Sequence, residues 1–578
     1  MNTLVIVVIA ACCLAAGYLL YGRWLAHKWG IDPNAKTPAV TKEDGQDYVP
    51  TDGWVVFAHQ FSSIAGAGPV TGAIQAAVFG WVPVFLWIIL GGIFFGAVTD
   101  FGALYASVKN EGKSMGLLIE QYIGKTGKKL FLLFCWLFTL IVTAAFADMV
   151  AGTFNAYETV DGVTSLSAAA TVNGAAGSIS LLFIAFAVVF GLIQKKAQFH
   201  GWKQTLLGLV CTVAAFVIGM NCPLITTKAN WSYMVFAYIF LAAVLPMWLL
   251  MEPRDLMTTF MFAGMIIGAV VGLLVAHPAM NLAPYTGFHN EKSGDLFPIL
   301  FVTVACGAVS GFHSLVSSGT SSKAITNEKD MPKVGFGAML LESLLAVLAL
   351  CVAGAAASAD GTPATGTPFA IFSSGVAGFL EMFGIPVYAA QCFMTMCVSA
   401  LALTSLDAVA RIARMSFQEL FSVDDMAHAE PWRKLLCNTY FSTVLTLVLG
   451  YVLTKIGYSN IWPLFGSANQ LLSALVLITL CVFLKVTGRS NKMLFPPLVI
   501  MLCVTFTALV QRLMAMVSAI QNAAAVTIPA GETTWGAVFI ANGLQLIIAV
   551  LLIVLGATIV VNSMRSYIAS KHNSEAKV

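Results

Sequence analysis

Residues 54–80 read WVVFAHQFSSIAGAGPVTGAIQAAVFG, an uncharged stretch that is long enough to cross a bilayer and is interrupted at its centre. Gly66 and Gly68 have no Cβ and Pro69 has no backbone N–H, so a regular helix cannot continue through them. At membrane depth such a break is tolerated only where the freed backbone groups are buried in protein or line a polar cavity. The stretch therefore predicts a broken membrane helix with a binding site at the break.

The whole chain has the composition of a membrane protein. Of its 578 residues 59% are hydrophobic and 10% are charged, whereas soluble domains are about a quarter charged. Runs of about 20 apolar residues predict an all-α polytopic membrane protein with about fifteen transmembrane helices. The expected partner is the lipid bilayer, and the net charge of +3 gives no reason to expect nucleic acid.

The positive charges indicate the orientation of the chain. If the N-terminus is outside, all but four of the 30 lysines and arginines fall on the cytoplasmic side, where such residues collect. The exceptions are Lys228, Lys292 and Lys455 in outer loops and Arg512 within a span. This distribution predicts an outer N-terminus and a cytoplasmic C-terminus.

A second broken span covers residues 297–322, FPILFVTVACGAVSGFHSLVSSGTSS, which is also uncharged and rich in glycine and serine. It runs from outside to inside, whereas the first broken span runs from inside to outside. Two interrupted spans of opposite orientation, each opening a set of five, are typical of inverted-repeat transporters. The sequence thus predicts a five-plus-five inverted repeat with two broken helices, a leucine-transporter-type core, surrounded by peripheral helices.

The predicted organisation has five parts. Residues 1–53 form an N-terminal peripheral span and cytoplasmic loop, 54–221 the first inverted repeat, 222–295 two peripheral spans, 296–487 the second inverted repeat, and 488–578 two peripheral spans with a cytoplasmic tail. Residues 369–384 are apolar but interrupted by serine and glycine, so they are predicted as an external or re-entrant helix.

The two breaks predict a substrate site. Half-helix N-termini carry partial positive charge and attract anions, while unwound carbonyls coordinate cations. The alternative is that the glycines only let helices pack closely. The candidate substrate-binding residues are Ser62, Ser63, Gly66 and Gly68 in the first span and Gly311, Phe312, Ser317, Ser318 and Gly319 in the second.

Two histidines are candidates for coupling to a proton, because the histidine pKa lies near physiological pH. His59 precedes the serine pair of the first broken span, and His313 precedes that of the second. The alternative is a neutral histidine that is hydrogen-bonded across helices.

Span eleven supplies candidates for a cation site or gate. The hydroxyls of Thr404 and Ser405 are ligands that suit sodium. Asp407 lies four residues before Arg411, a spacing that makes a salt bridge on one helix face. We expect Asp407 to form this ion pair or an inner gate.

The second span of each repeat contains one further acid. Asp100 and Glu342 are candidates for a proton relay or inner gate, since carboxylates within a membrane are costly unless they are paired or hydrated. Pairing with a lysine such as Lys109 or Lys113 is the alternative.

Four runs resemble the carbon starvation protein A family of bacterial inner-membrane transporters. They cover residues 48–114, 297–350, 404–414 (TSLDAVARIAR) and 462–480 (WPLFGSANQLLSALVLITL). The resemblance implies a place in the superfamily of amino acid, polyamine and organocation transporters. It also implies uptake of a small carbon source, with pyruvate by proton symport in some members and peptides proposed for others.

The expected function is secondary active import of a small carboxylate, with pyruvate favoured, by symport with a proton or with sodium. The alternatives are peptide uptake and a nutrient-sensing membrane receptor. The sequence has no metalloprotease, nucleophile-elbow or phosphate-loop motif, so no enzyme, cofactor or metal site is expected. It gives no indication of oligomeric state.

Overall fold

The computed structural model describes residues 2–44, 48–160, 163–197, 202–246, 249–291, 293–423, 428–523 and 535–570. Lys292, predicted in an outer loop, and the tail from residue 571 lie outside the described residues.

The described residues of the first half of the chain form thirteen α-helices and one hairpin. They are α1 (Thr3–Ala16), α2 (Arg23–Trp29), α3 (Pro38–Thr41), α4 (Gly53–Ile64), α5 (Gly68–Ala76), α6 (Trp81–Gly91), α7 (Ala97–Lys109), α8 (Met115–Tyr122), α9 (Lys125–Phe154), β1 (Tyr157–Val160), β2 (Val163–Leu166), α10 (Ala170–Ala197), α11 (Trp202–Asn221), α12 (Lys228–Val244) and α13 (Met251–Ala276).

The second half begins with a short strand pair. The elements are β3 (His289–Asn290), β4 (Gly294–Asp295), α14 (Leu296–Thr303), α15 (Gly311–Gly319), α16 (Ala338–Ala356), α17 (Pro368–Glu381), α18 (Val387–Phe421), α19 (Pro431–Leu436), α20 (Thr439–Thr454), α21 (Tyr458–Val486), α22 (Phe495–Ala523) and α23 (Trp535–Ala569). Both strand pairs are antiparallel, and Tyr157 pairs with Leu166 in the longer one.

Three of the long helices contain a π-helical turn. The turns at Gly17–Gly22, Gly92–Gly96 and Pro332–Gly337 lie between α1 and α2, between α6 and α7, and before α16. Each turn is therefore a local widening within one continuous span, as π-turns usually are.

Among the described residues, eleven helices are long and apolar enough to cross a membrane. The other four predicted spans are two broken helices, α12 and α20, whose unbroken segments have fewer than 18 residues. The chain is therefore a mostly helical membrane protein, and the count of fifteen spans stays a prediction. Residues 369–384 fall largely in α17, a separate short helix.

The centre of the bundle is the contact between α9 and α18, which pack on each other more extensively than any other pair of helices in the described chain. Helices α20 and α21 pack on α9, while α12 and α13 pack on α18. In the same way α21 contacts the broken helix α14–α15, and α13 contacts the broken helix at α4. Helices α10 and α11 pack on each other, and α10 also packs on α18 and α13.

We call the side with the loops at 110–114 and 320–331 the inner side, and the side with β1–β2 and α17 the outer side. Residues 30–44 and 48–53 cross the inner side and are fixed to these loops. Glu328 accepts a hydrogen bond from the amide of Asp32 (2.9 Å) and pairs with Lys109 (2.8 Å). Lys42 lies 2.7 Å from Glu111, and this hydrogen bond lowers the pKa of the exposed carboxyl. The inner loops are thus held together by ion pairs.

Candidate functional site

The two helix breaks lie in direct contact at the centre of the bundle. The first is the turn between Ile64 and Gly68, and the second is the longer segment between Thr303 and Gly311. Cys306 of the second break lies against Gly68 so closely that a Cβ on this glycine would clash with the cysteine side chain. Gly68 is therefore required by the close approach of the two breaks.

Helix α21 supplies partners for the backbone freed at the second break. The Asn469 side-chain oxygen accepts hydrogen bonds from the amide of Phe312 and the hydroxyl of Ser310, both at 3.1 Å. Gln470 donates to the carbonyl of Phe301 at 2.6 Å. Sequence reasoning gave these two amides no role, although two adjacent uncharged amides inside a membrane span were the available signal.

A small cavity lies where the breaks meet. The space open to the centre of a water molecule is about 10 Å³, which is about the room that one water needs. The site is therefore closed to anything larger in this conformation. The lining residues are Ile64, Gly66, Phe138, Val142, Phe146, Cys306, Phe312, His313, Ser405, Val409, Phe465 and Asn469.

Four of the sequence-predicted site residues line this cavity: Gly66, Phe312, His313 and Ser405. The others lie around it. The Ser62 hydroxyl donates to the carbonyl of His59 (3.1 Å), and the Thr404 hydroxyl donates to that of Ala400 (2.9 Å), so both bond within their own helices. Ser63 and Gly68 are buried beside the first break, whereas Ser317, Ser318 and Gly319 follow His313 toward the inner side.

His313 is fully buried and stands between two carboxylates. Its Nδ1 lies 3.0 Å from Asp100 Oδ2 on α7, and its Nε2 lies 3.3 Å from Glu342 Oε2 on α16. All three side chains are at most 1% exposed. Within the described part of the chain, Asp100 Oδ1 and both Glu342 oxygens have no hydrogen-bond partner. The His313 side chain thus belongs to the cavity wall, and its two ring nitrogens each lie near one acid.

Asp100 and Glu342 do not pair with Lys109 or Lys113 in the structure. Lys109 pairs with Glu328, and Lys113 donates to Gln121 at 2.7 Å. Asp100 and Glu342 instead share His313. Because the three residues are separated by up to 242 positions in the chain, only the tertiary fold brings them together.

His59 has a different setting from that of His313. It lies before the first break, on the inner half-helix α4, and its side chain is 30% exposed. Its Nδ1 lies 3.9 Å from Asp255 Oδ2 on α13. His313 lies after the second break, so the two similar His–Ser motifs occupy different positions relative to the breaks.

The ion pair expected between Asp407 and Arg411 is replaced by another. Asp407 pairs with Arg254 of α13 and accepts a hydrogen bond from Tyr238 of α12 at 2.5 Å, and all three are buried. Arg411 donates instead to the carbonyl of Leu245. Arg254 lies in the first turn of α13, which begins at Met251, and Pro253 is compatible with that position.

A second acid makes a comparable contact near the outer side. Asp148 of α9 pairs with Lys228 (2.7 Å) and accepts a hydrogen bond from the amide of Tyr458 (3.0 Å), the first residue of α21. Asp148 thus fixes the start of α21, much as Asp407 fixes the start of α13.

A larger cavity of about 480 Å³ opens on the outer side, between the ends of α9 and α10, the β1–β2 hairpin, α17 and α18. Its lining is rich in amides and hydroxyls, including Asn155, Asn173 and Gln391, and contains one carboxylate, Glu158. No lysine or arginine belongs to the lining that the described residues form. This cavity is chemically suited to a polar ligand with an amino group.

No group of three or more metal-ligating side chains is found within the described ranges. Oxygen ligands for sodium would have to come from Ser405 and the backbone of the breaks.

Comparison with known proteins gives consistent results. The model of the carbon starvation protein CstA family matches residues 2–360 and 355–508. A Bacillus subtilis protein named peptide transporter CstA is 31% identical, with 86% of this chain and 87% of that protein covered. The Escherichia coli pyruvate/proton symporter BtsT is 34% identical over 61% of this chain and 49% of its own length. Among solved structures, a manganese transporter of Eremococcus coleocola matches with a TM-score of 0.43 and 12% identity over 90% of this chain and 99% of its own.

Proposed function

We propose that this chain, which belongs to the carbon starvation protein CstA family, imports a small carboxylate, pyruvate, by proton symport across a bacterial inner membrane. The observation that supports the proposal is the position of His313. It forms part of the wall of the central cavity and contacts two buried acids that have no cation other than this histidine within bonding distance among the described residues.

The charge of this cluster depends on its protons. With a neutral histidine and two ionised acids the cluster carries two negative charges in a buried site, which is unfavourable and repels a carboxylate. A proton taken up by the cluster removes part of this charge and gives the histidine a positive charge beside the cavity. An anionic substrate is therefore best accepted together with a proton, which is the requirement for symport.

The cavity wall suits a small substrate. Phenylalanines from three helices surround a few polar groups, namely His313, Ser405, Asn469 and the backbone at the breaks. A three-carbon acid needs polar partners for its carboxylate and apolar contact for its methyl group. We infer that the cavity expands around such a substrate when the bundle opens.

Packing leads us to a revised composition of the inverted repeats. Helices α12 and α13 contact α9, α18 and α4 as α20 and α21 contact α18, α9 and the second broken helix. We infer that the first repeat contains α4–α5, α6–α7, α9, α12 and α13, and that α10 and α11 are an inserted pair. The second repeat keeps α14–α15, α16, α18, α20 and α21.

Alternating access then follows from movement of one part of the core against the other around the fixed site. We keep the orientation with an outer N-terminus and cytoplasmic C-terminus. The side that we call inner carries the lysine-rich loops, and such loops collect on the cytoplasmic side of a membrane. One proton carried with one pyruvate anion moves no net charge, so accumulation is driven by the pH gradient, which supplies about 1.4 kcal/mol, a tenfold accumulation, per pH unit.

The test is uptake of labelled pyruvate into proteoliposomes under separate proton and sodium gradients, with dipeptides as competitors. We expect uptake under the proton gradient alone and little competition. If neither gradient drives pyruvate uptake while dipeptides are transported, the proposal is wrong.

Peptide uptake is the second candidate, and the outer cavity favours it. A space of about 480 Å³ with one carboxylate and several amides is suited to the amino end of a short peptide more than to an anion. Replacing Glu158 with Gln would lower dipeptide uptake and leave pyruvate uptake unchanged if this candidate is correct.

A further inference from the structure

Below His313, the second broken helix presents a run of buried hydroxyls toward the inner side. The sequence from 310 to 322, SGFHSLVSSGTSS, contains six serines, and every one is 0% exposed. Hydroxyls in a packed interior are favourable only when they are hydrogen-bonded. The small size of serine permits close helix packing, but alanine would do the same without this cost.

One face of α15 is joined to α4 through a single side chain. Gln60, itself fully buried, donates to the Ser317 hydroxyl (2.8 Å) and accepts from the Ser321 hydroxyl (2.6 Å). Residues 313 and 317 are four apart on α15, so Ser317 lies on the same side of the helix as His313, and Ser321 follows in the 3₁₀ turn Ser321–Lys323 after the helix end. Gln60 therefore connects the two inner half-helices directly beneath the coupling histidine.

The neighbouring face of α15 leads to an inner loop. The hydroxyl of Ser107 on α7 lies 2.8 Å from the Ser322 hydroxyl, 3.2 Å from the carbonyl of Ser318 and 2.7 Å from the carbonyl of Lys113. The Ser314 hydroxyl, adjacent to His313, is buried and has no hydrogen-bond partner in the part of the chain that is described. Among the described residues, the Ser314 hydroxyl therefore has no hydrogen bond to offset the cost of its burial in the closed conformation.

We propose that these residues, Gln60, Ser107, Ser314, Ser317, Ser318, Ser321 and Ser322, form the inner half of the translocation pathway. In the closed conformation the hydroxyls bond to one another and to Gln60. When α4 and α15 separate, the same hydroxyls face water, and the proton on His313 passes to that water while the substrate leaves beside it. Gln60 holds the path closed by its two hydrogen bonds.

Only the identity of the cargo in this inference rests on the proposed function. The access of water to the path can be measured without knowing the cargo. The experiment uses the full-length protein in proteoliposomes, in a background where the twelve native cysteines are replaced. Single variants Ser317→Cys and Ser318→Cys are exposed to a membrane-impermeant thiol reagent from the inner side. Ser563→Cys is the control, because Ser563 is also a fully buried serine but lies on peripheral helix α23.

We expect both pathway cysteines to be labelled at least about tenfold faster than the control, since an open state populated at a few per cent suffices for labelling. Adding Gln60→Leu to Ser318→Cys would raise its labelling about tenfold or more through the loss of two hydrogen bonds. The same change would leave the Ser563→Cys control unaltered.

The outcomes separate the two proposals. Labelling of the pathway cysteines in a protein that does not take up pyruvate would support the path and contradict the cargo. Pyruvate uptake by Ser317→Cys and Ser318→Cys proteins whose cysteines never react, with or without Gln60→Leu, would overturn the path.

Discussion

Among the described residues, two clusters of charged side chains that are at most 2% exposed lie in this bundle, and they differ in the nature of their cation. In one, Arg254 and Tyr238 hold Asp407, so the charges cancel and arginine keeps its proton at any physiological pH. In the other, His313 stands between Asp100 and Glu342, and its charge changes with its proton. We propose that the second cluster carries the coupled proton. The first is suited to holding α13 and α12 against α18.

The largest expected effect comes from breaking the permanently charged cluster. Arg254→Met leaves Asp407 as a buried charge without its cation, which destabilises the folded protein by about 3–5 kcal/mol. The measurement is thermal unfolding of the purified protein in detergent.

Arg512→Met is the matched control for that variant. Within the described ranges the hydrogen-bond partners of Arg512 are neutral, the carbonyl of Asn460 and the side chain of Gln545, so its loss should cost much less. The double variant Arg254→Met, Asp407→Leu removes both charges and should recover most of the stability. Equal unfolding temperatures for the wild-type and Arg254→Met proteins would contradict the assignment.

The next effect concerns the titratable cluster. His313→Gln keeps a polar side chain of similar size but cannot be protonated, so a pH gradient would no longer drive accumulation, a loss of up to about tenfold per pH unit of gradient. Exchange of labelled for unlabelled pyruvate across the membrane should persist, because it needs no net proton movement. Retained proton-driven uptake would move the coupling role to another residue.

A smaller change is expected from Glu342→Gln. Removing one negative charge beside His313 makes its positive form less favourable, so a higher proton concentration is needed for uptake. We expect the pH profile of pyruvate uptake to move by about one unit in the acidic direction. A profile that stays in place, or moves toward alkaline pH, would show that Glu342 does not act on His313.

The smallest effect is expected for the other histidine. His59 is partly exposed and lies 3.9 Å from Asp255 on the inner side, away from the cavity. His59→Gln should change proton-driven uptake by less than about twofold, in the range of most surface substitutions. Loss of coupling in this variant, with His313→Gln unaffected, would reverse the comparison between the two histidines.

The sequence predicted the elements that depend on local chemistry. Glycine and proline at 66–69, and glycine at 307 and 311, determined where the two helices break, because these residues restrict the backbone wherever they occur. It did not predict the partner of Asp407, since Arg254 lies 153 positions away and the nearer Arg411 had suitable helical spacing. Local spacing indicates only which pairings are possible within one helix.

The repeat composition that we infer rests on packing, because helices α10–α11 and α12–α13 cross in the same alternating directions and orientation cannot distinguish them. Helix α12 contacts α9, and α13 contacts α4, more extensively than α10 or α11 does, although α10 also packs on α18. The similar motifs around His59 and His313 do not record on which side of a break each histidine lies, so the sequence treated the two histidines alike. The sequence thus predicted two breaks and a set of candidate residues, and the fold adds where each candidate lies relative to the breaks.

The small volume of the central cavity has a bioenergetic consequence. A space for about one water cannot hold the chain of water molecules that would let protons hop through the protein without cargo. In this conformation the histidine is insulated from both solutions, and the membrane keeps its voltage. A variant that enlarged the cavity, such as Phe146→Ala, would turn the same residues into a leak that dissipates the gradient that the cell depends on.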